Sequence, residues 1–168
     1  MINTYFPFIG TGREPTFGNA AAADFYRLLV KDPRQHRTRL DPCPALTAAA
    51  QHRAAMLATM PDLAHVEPDG VTTVNEVARR FGCGLPAHYA ARGNGIESLV
   101  AGTGDAQAAF EALARSPKHA AHLFGQSDFY RGQGQVGIAL MDAVGSRWRW
   151  YWCILLGECV QVLTNHSH

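Results

Sequence analysis

Charge is scarce in this chain: only 17% of its 168 residues are Asp, Glu, Lys or Arg, and the formal net charge is +1. No basic field is present to attract a phosphate backbone, so nucleic acid is not an expected partner. The densest cationic run, Arg34, Arg37 and Arg39 around His36, has no interleaved aromatic residues for base stacking and reads as a solvated connector. Long apolar runs are missing too. Tyr151 to Leu156 is broken at once by Gly157-Glu158, well short of the ~18 residues that span a bilayer. The first residues lack a basic start, and Pro7 and Gly10 interrupt them, so they do not read as a signal peptide. Cys43, Cys83, Cys153 and Cys159 include no C-x-x-C pair, which argues against a zinc ribbon or a thioredoxin-type site. Four cysteines permit three pairings, and the spacing does not choose among them. Cys153 lies in an apolar segment, where an inert buried thiol is as natural as a bridge.

What is present suits one ordinary domain, long enough to bury a core without metal or crosslinks. Residues 1–17 mix Pro, Gly and aromatics without period and read as an extended arm, leaving residues 18–165 as the domain. Helical spacing of Ala23, Phe25, Leu28 and Leu29 predicts a helix over 20–30, ended by Pro33. A second, over 46–60, buries Leu46, Ala49, Ala50, Ala54 and Leu57 and is stopped by Pro61; so many alanines imply close approach to a neighbour. His52 falls off that face and reads as exposed. Thr73 and Glu76 form a capping box for a third helix, with Val74, Val77, Ala78 and Phe81 inward and Gly82 as terminator. Asp105 caps a fourth, carrying Ala106, Ala109, Phe110 and Leu113, and Ser116-Pro117 starts a short fifth. From Val136 the period becomes two. Val136, Ile138 and Leu140 alternate. Trp148, Trp150, Trp152, Ile154 and Leu156 line one side of the next strand, more as core than as a carbohydrate platform. Residues 142–146 connect the two, and Val160, Val162 and Thr164 suggest a last short strand. The layout is α+β.

Three residues carry the most chemistry: His65 in Asp62-Leu-Ala-His65-Val-Glu-Pro-Asp-Gly70, Glu97 in Gly95-Ile-Glu97-Ser-Leu-Val-Ala-Gly102, and His119 in Ser116-Pro-Lys-His119. Two imidazoles and a carboxylate serve equally as divalent-metal ligands and as an acid/base set. Each alone has a plain structural reading, as a surface or loop-fixing residue. His119 lies near a helix start, where the dipole disfavours its protonated form. His122 follows it at i, i+3 and reads as a surface residue that would at most extend the ligand set. No nucleophile is evident, since neither Ser98 nor Ser116 sits in a nucleophile elbow.

The order of these segments resembles the bacterial branch of the CAP superfamily, the SCP-like extracellular domains (cysteine-rich secretory proteins, antigen 5 and pathogenesis-related proteins). The resemblance runs from Leu46 to Gly157, about two thirds of the chain. It comprises the Ala-rich helix, His65 before its Asp-Gly turn, Glu97-Ser-Leu-Val-Ala-Gly102, Ser116-Pro-Lys-His119, and Val136-Gly-Ile-Ala followed by Tyr151-Trp152. It implies an αβα sandwich whose small antiparallel sheet is covered by helices, and a cleft holding His65, Glu97 and His119. The family's second Glu falls at Ser116, with Leu113 at the preceding Trp position, so three of four polar positions remain. It also implies a secreted, non-enzymatic domain with a small molecule, a lipid or a cell-surface protein as partner, and zinc or another divalent cation as a candidate cofactor. The alternative is a metal-dependent hydrolase acting on a peptide or ester, with His65, His119 and Glu97 holding the metal and its water as nucleophile.

Overall fold

The computed structural model describes residues 17–160. Helix α1 (Ala20–Lys31) starts at Asn19, whose side chain accepts from the Ala22 amide, and places Phe25 and Leu29 fully inside. Strand β1 (Asp41–Pro42) leads into α2 (Pro44–Leu57), and α3 (Val74–Arg80) follows its capping box. Gly82 has φ +94, the left-handed geometry that ends a helix without Cβ strain. Then come β2 (Glu97–Ala101), α4 (Ala106–Arg115), α5 (Pro117–Leu123) and the single turn α6 (Asp128–Arg131). Strands β3 (Gln135–Asp142) and β4 (Trp150–Gly157) complete the described chain.

The sheet runs β1-β3-β4-β2. Its β3–β4 and β4–β2 pairings are antiparallel, but β1 lies parallel to β3, so the sheet is mixed rather than wholly antiparallel. Helices cover both faces. On one side α2 and α3 pack against Tyr151, Cys153, Leu155, Leu99 and Ala139. On the other, α1, α4 and α5 pack against Trp152, Ile154, Leu156, Val136 and Ile138. Both sides of β4 are thus buried, and the expected tryptophan stripe splits. Trp152 is sealed against Phe25, with ring centres 5.5 Å apart, while Trp148 and Trp150 stay half-buried at the sheet's end.

The alanines of α2 act as their number implied. Gly137 of β3 lies so close beneath the helix that a Cβ there would run into the Leu46 carbonyl group and the Thr47 nitrogen. The helix stops at Leu57, a turn earlier than the apolar pattern suggested. Segment 97–101, given no element by the sequence, is a strand hydrogen-bonded to β4. Two other expectations change. Arg37 is no solvated connector: it is buried, donating to the carbonyls of Leu123 and His122 at 2.8 Å each. His52 is half-buried and meets Glu67 at 2.7 Å. Val160 makes an isolated bridge to Gly84, while the rest of the expected last strand, like the arm over residues 1–16, lies outside the described residues.

One bridge forms, between Cys83 and Cys159, joining the end of α3 to the segment after β4. Closing a loop of 76 residues removes chain entropy from the unfolded state worth about 4 kcal/mol. Cys43 and Cys153 remain buried thiols.

Candidate functional site

The cleft is organised around a buried ion pair. Arg53 projects from α2 into the core with no exposed surface and meets Glu97, at the start of β2, through Nε at 2.8 Å. Its two other nitrogens donate to the carbonyls of Val66, at 2.9 Å, and Ala64, at 2.7 Å. One guanidinium therefore fixes both the carboxylate and the backbone on either side of His65. Such a fork satisfies donors that would otherwise be stranded in the core. From the other side, Asn94 accepts from the Glu97 amide at 2.8 Å and donates to the Glu97 carbonyl at 3.2 Å.

His65 closes the arrangement. Its Nδ1 lies 2.8 Å from Glu97 Oε2, while 39% of its side chain stays exposed. With Nδ1 committed to the carboxylate, Nε2 is the nitrogen left for an incoming group. Burial pushes the Glu97 carboxyl up, but hydrogen bonds and charge from His65 and Arg53 outweigh it, and the group lies below the usual carboxylate range. Glu97 is therefore an anion held for its neighbours.

His119 stands across the cleft on α5, beside Lys118. Partial burial, then the charges of His65 and Lys118, lower its pKa, so the neutral ring is favoured. The sequence pointed the same way, although burial rather than the helix start leads. Ser116 is not among the cleft-lining residues, and its side chain makes no capping bond to α5. His122, expected at the surface, is 4% exposed and forms part of the cleft wall. Its Nδ1 meets Ser98 Oγ at 2.7 Å, and the Tyr130 ring packs on it with centres 5.1 Å apart. The cavity so enclosed measures about 130 Å³.

The expected three-ligand metal centre does not take shape. Among the described residues no group of three or more His, Cys, Asp or Glu is placed to hold an ion. Both Glu97 oxygens are engaged by Arg53 and His65, and Cys153 Sγ also approaches Oε1 at 3.4 Å. His65 and His119 keep free faces, and Glu97 acts as the partner that orients an imidazole.

Burial of His122 has a measurable consequence. Burial first, then the charges of Arg37, His119 and His65, push its pKa from 6.5 down to about 3. Between those values the unfolded chain binds a proton that the folded chain refuses. Stability is therefore full above about pH 6.5 and falls by about 1.4 kcal/mol per unit as the pH drops. His122→Asn keeps an acceptor for Ser98 and has nothing to protonate. Between about pH 7 and pH 5 it should lose about 2 kcal/mol less than the parent chain in urea unfolding. Equal losses would place His122 in contact with solvent.

No protein-family model matches this chain. No curated protein sequence matches it either. Two solved structures are similar. An outer surface protein from Borrelia burgdorferi is 16% identical with a TM-score of 0.56, over 83% of this chain and 87% of that one. An extracellular protein containing an SCP domain from Bacillus anthracis is 14% identical with a TM-score of 0.53, over 82% of this chain. The matched region spans only 38% of the Bacillus chain. Two-sided helical cover on a four-stranded sheet, met by these likenesses, identifies the architecture of this chain as the SCP-like, or CAP, fold.

Proposed function

We propose that this chain is an extracellular SCP-like domain whose His65–Glu97–His119 cleft binds a small polar group, presented by a free ligand or a partner surface, without chemically changing it. One observation carries this reading: Glu97 fixes His65 by Nδ1 while the same ring stays partly open to the cleft. That is the geometry of a preoriented hydrogen-bonding group. Location outside the cell is supported by the Cys83–Cys159 bridge, since disulfides persist in oxidising compartments. The two similar structures, one an outer surface protein and the other an extracellular protein, point the same way. No helix among the described residues is long and apolar enough to cross a membrane.

The size of the cleft limits the guest. At about 130 Å³ it has room for one small polar group. A hydrolase is less well supported, because Glu97 is paired with Arg53 instead of facing a metal or a water.

A library of small polar fragments should perturb the NMR signals of His65 and His119 in the parent chain. His65→Ala should weaken the best binder about tenfold and, because it also takes one partner from the buried Glu97, lower the unfolding midpoint, so affinities are compared where both chains are folded. Fragments that bind with undiminished affinity to both His65→Ala and His119→Ala would remove the cleft from the function.

A further inference from the structure

The inner wall of the same cleft carries an unfinished hydrogen bond. Ser98 is 1% exposed, and its hydroxyl has one partner among the described groups, the Nδ1 of His122 at 2.7 Å. If that nitrogen carried the proton, the Ser98 hydroxyl hydrogen would be buried with nothing to accept it. The economical arrangement has Ser98 donating to Nδ1, which puts the ring proton on Nε2. That Nε2 is sealed from solvent and has no partner among the described residues. A buried N–H left unpaired costs free energy that an oxygen acceptor would recover.

The surrounding charge says what kind of oxygen. Arg37, buried behind His122, binds carbonyl oxygens and makes no ion pair among the described residues. Lys118 on the cleft's edge makes none among them either, whereas the anion lining the cleft, Glu97, is already answered by Arg53. The cleft therefore has one lining cation, Lys118, without a counter-charge, with Arg37 behind its wall, and a donor without an acceptor among the described residues. A carboxylate, with two oxygens and one charge, matches one N–H and one ammonium. A phosphate dianion would bring a second negative charge, and among the described residues Lys118 is the only Lys or Arg lining the cleft.

We propose that the Ser98–His122 pair is a carboxylate-recognition element at the back of the cleft, with His122 Nε2–H donating to one carboxylate oxygen and Lys118 facing the other. This rests on the binding reading given above and names the group that is bound. Ser98 acts as a positioning residue, since it fixes the ring proton on the nitrogen that the guest needs.

The test uses the full chain labelled with nitrogen-15, with imidazole resonances followed while sodium acetate or inorganic phosphate is added at constant ionic strength. In the absence of either anion, the His122 ring should already show the Nε2–H form. Acetate should then shift His122 Nε2 saturably, phosphate should do so more weakly, and Ser98→Ala should weaken the acetate response about tenfold. Lys118→Ala, on an exposed side chain, should weaken it with no effect on folding. A His122 ring protonated on Nδ1, or unmoved by acetate, would overturn the proposal even where His65 and His119 respond to other fragments, and the broader binding reading would then survive. A phosphate response stronger than the acetate response would overturn the carboxylate assignment. Failure of every fragment to move any cleft histidine would end both readings.

Discussion

Replacing Arg53 with methionine should lower the unfolding free energy by about 3–5 kcal/mol, a large fraction of what a domain of this size possesses. The loss has three parts. Glu97, with no exposed side-chain surface, would remain as a buried anion without its guanidinium. The carbonyls of Ala64 and Val66 would lose their donor. The volume would be refilled only approximately. Removing one member of a buried pair costs far more than the pair contributes, because the survivor cannot return to water. The double variant Arg53→Met with Glu97→Gln should accordingly lose less than the sum of the two single losses. Urea unfolding of the three variants measures this directly. A loss below about 1 kcal/mol for Arg53→Met would mean that water reaches the pair. The same variant should loosen residues 64–66 and with them His65, so any ligand response at His65 should fade together with stability.

A single methyl group is expected to do comparable damage at Gly137. Gly137→Ala would press its Cβ into the backbone of α2 at Leu46 and Thr47. A side chain can rotate away from such a clash, but a helix backbone must translate. Overpacking in cores usually costs about 1–3 kcal/mol, and the upper end or beyond is expected here. Because α2 also carries Arg53, a shifted helix should lengthen the contact with Glu97, visible as altered His65 and Glu97 signals in a chain that still folds. Gly134→Ala is the control, since its Cβ would meet only the Arg39 carbonyl at an ordinary 3.9 Å. If the Gly137 variant unfolds within about 1 kcal/mol of the parent, the helix does not sit on the sheet as described.

The helices were legible because their signals are local. Thr73 with Glu76, Asp105 before its apolar stripe, and Gly82 after α3 each act within one or two turns. The strands at the sheet's edges were not. Asp41–Pro42 is too short for any period, and segment 97–101 needs β4 beside it. Convergence of His65 and Glu97 was readable only through the order of the motifs, since no spacing rule joins positions so far apart. Arg53 was missed although a signal existed. It falls seven residues after Leu46 and four after Ala49, on the buried stripe of α2, and a charge there demands a partner inside. Arg37 and His122 gave no such hint. What buries them is the packing of the connector after α1 against the end of α5, a tertiary contact that no short window contains.

The Cys83–Cys159 bond has a bearing on how the molecule is made. Two further cysteine thiols are present, one in the central strand β4 and one at the entry to α2, and both must end inside. An oxidant acting on the extended polymer would meet all four as equals, and most first crosslinks would trap a sulfur that belongs within. Collapse around the central strand withdraws Cys43 and Cys153 from reach and leaves the correct couple as the available choice. Productive maturation should therefore favour slow oxidation after compaction, and hurried oxidation of the denatured chain should yield scrambled isomers.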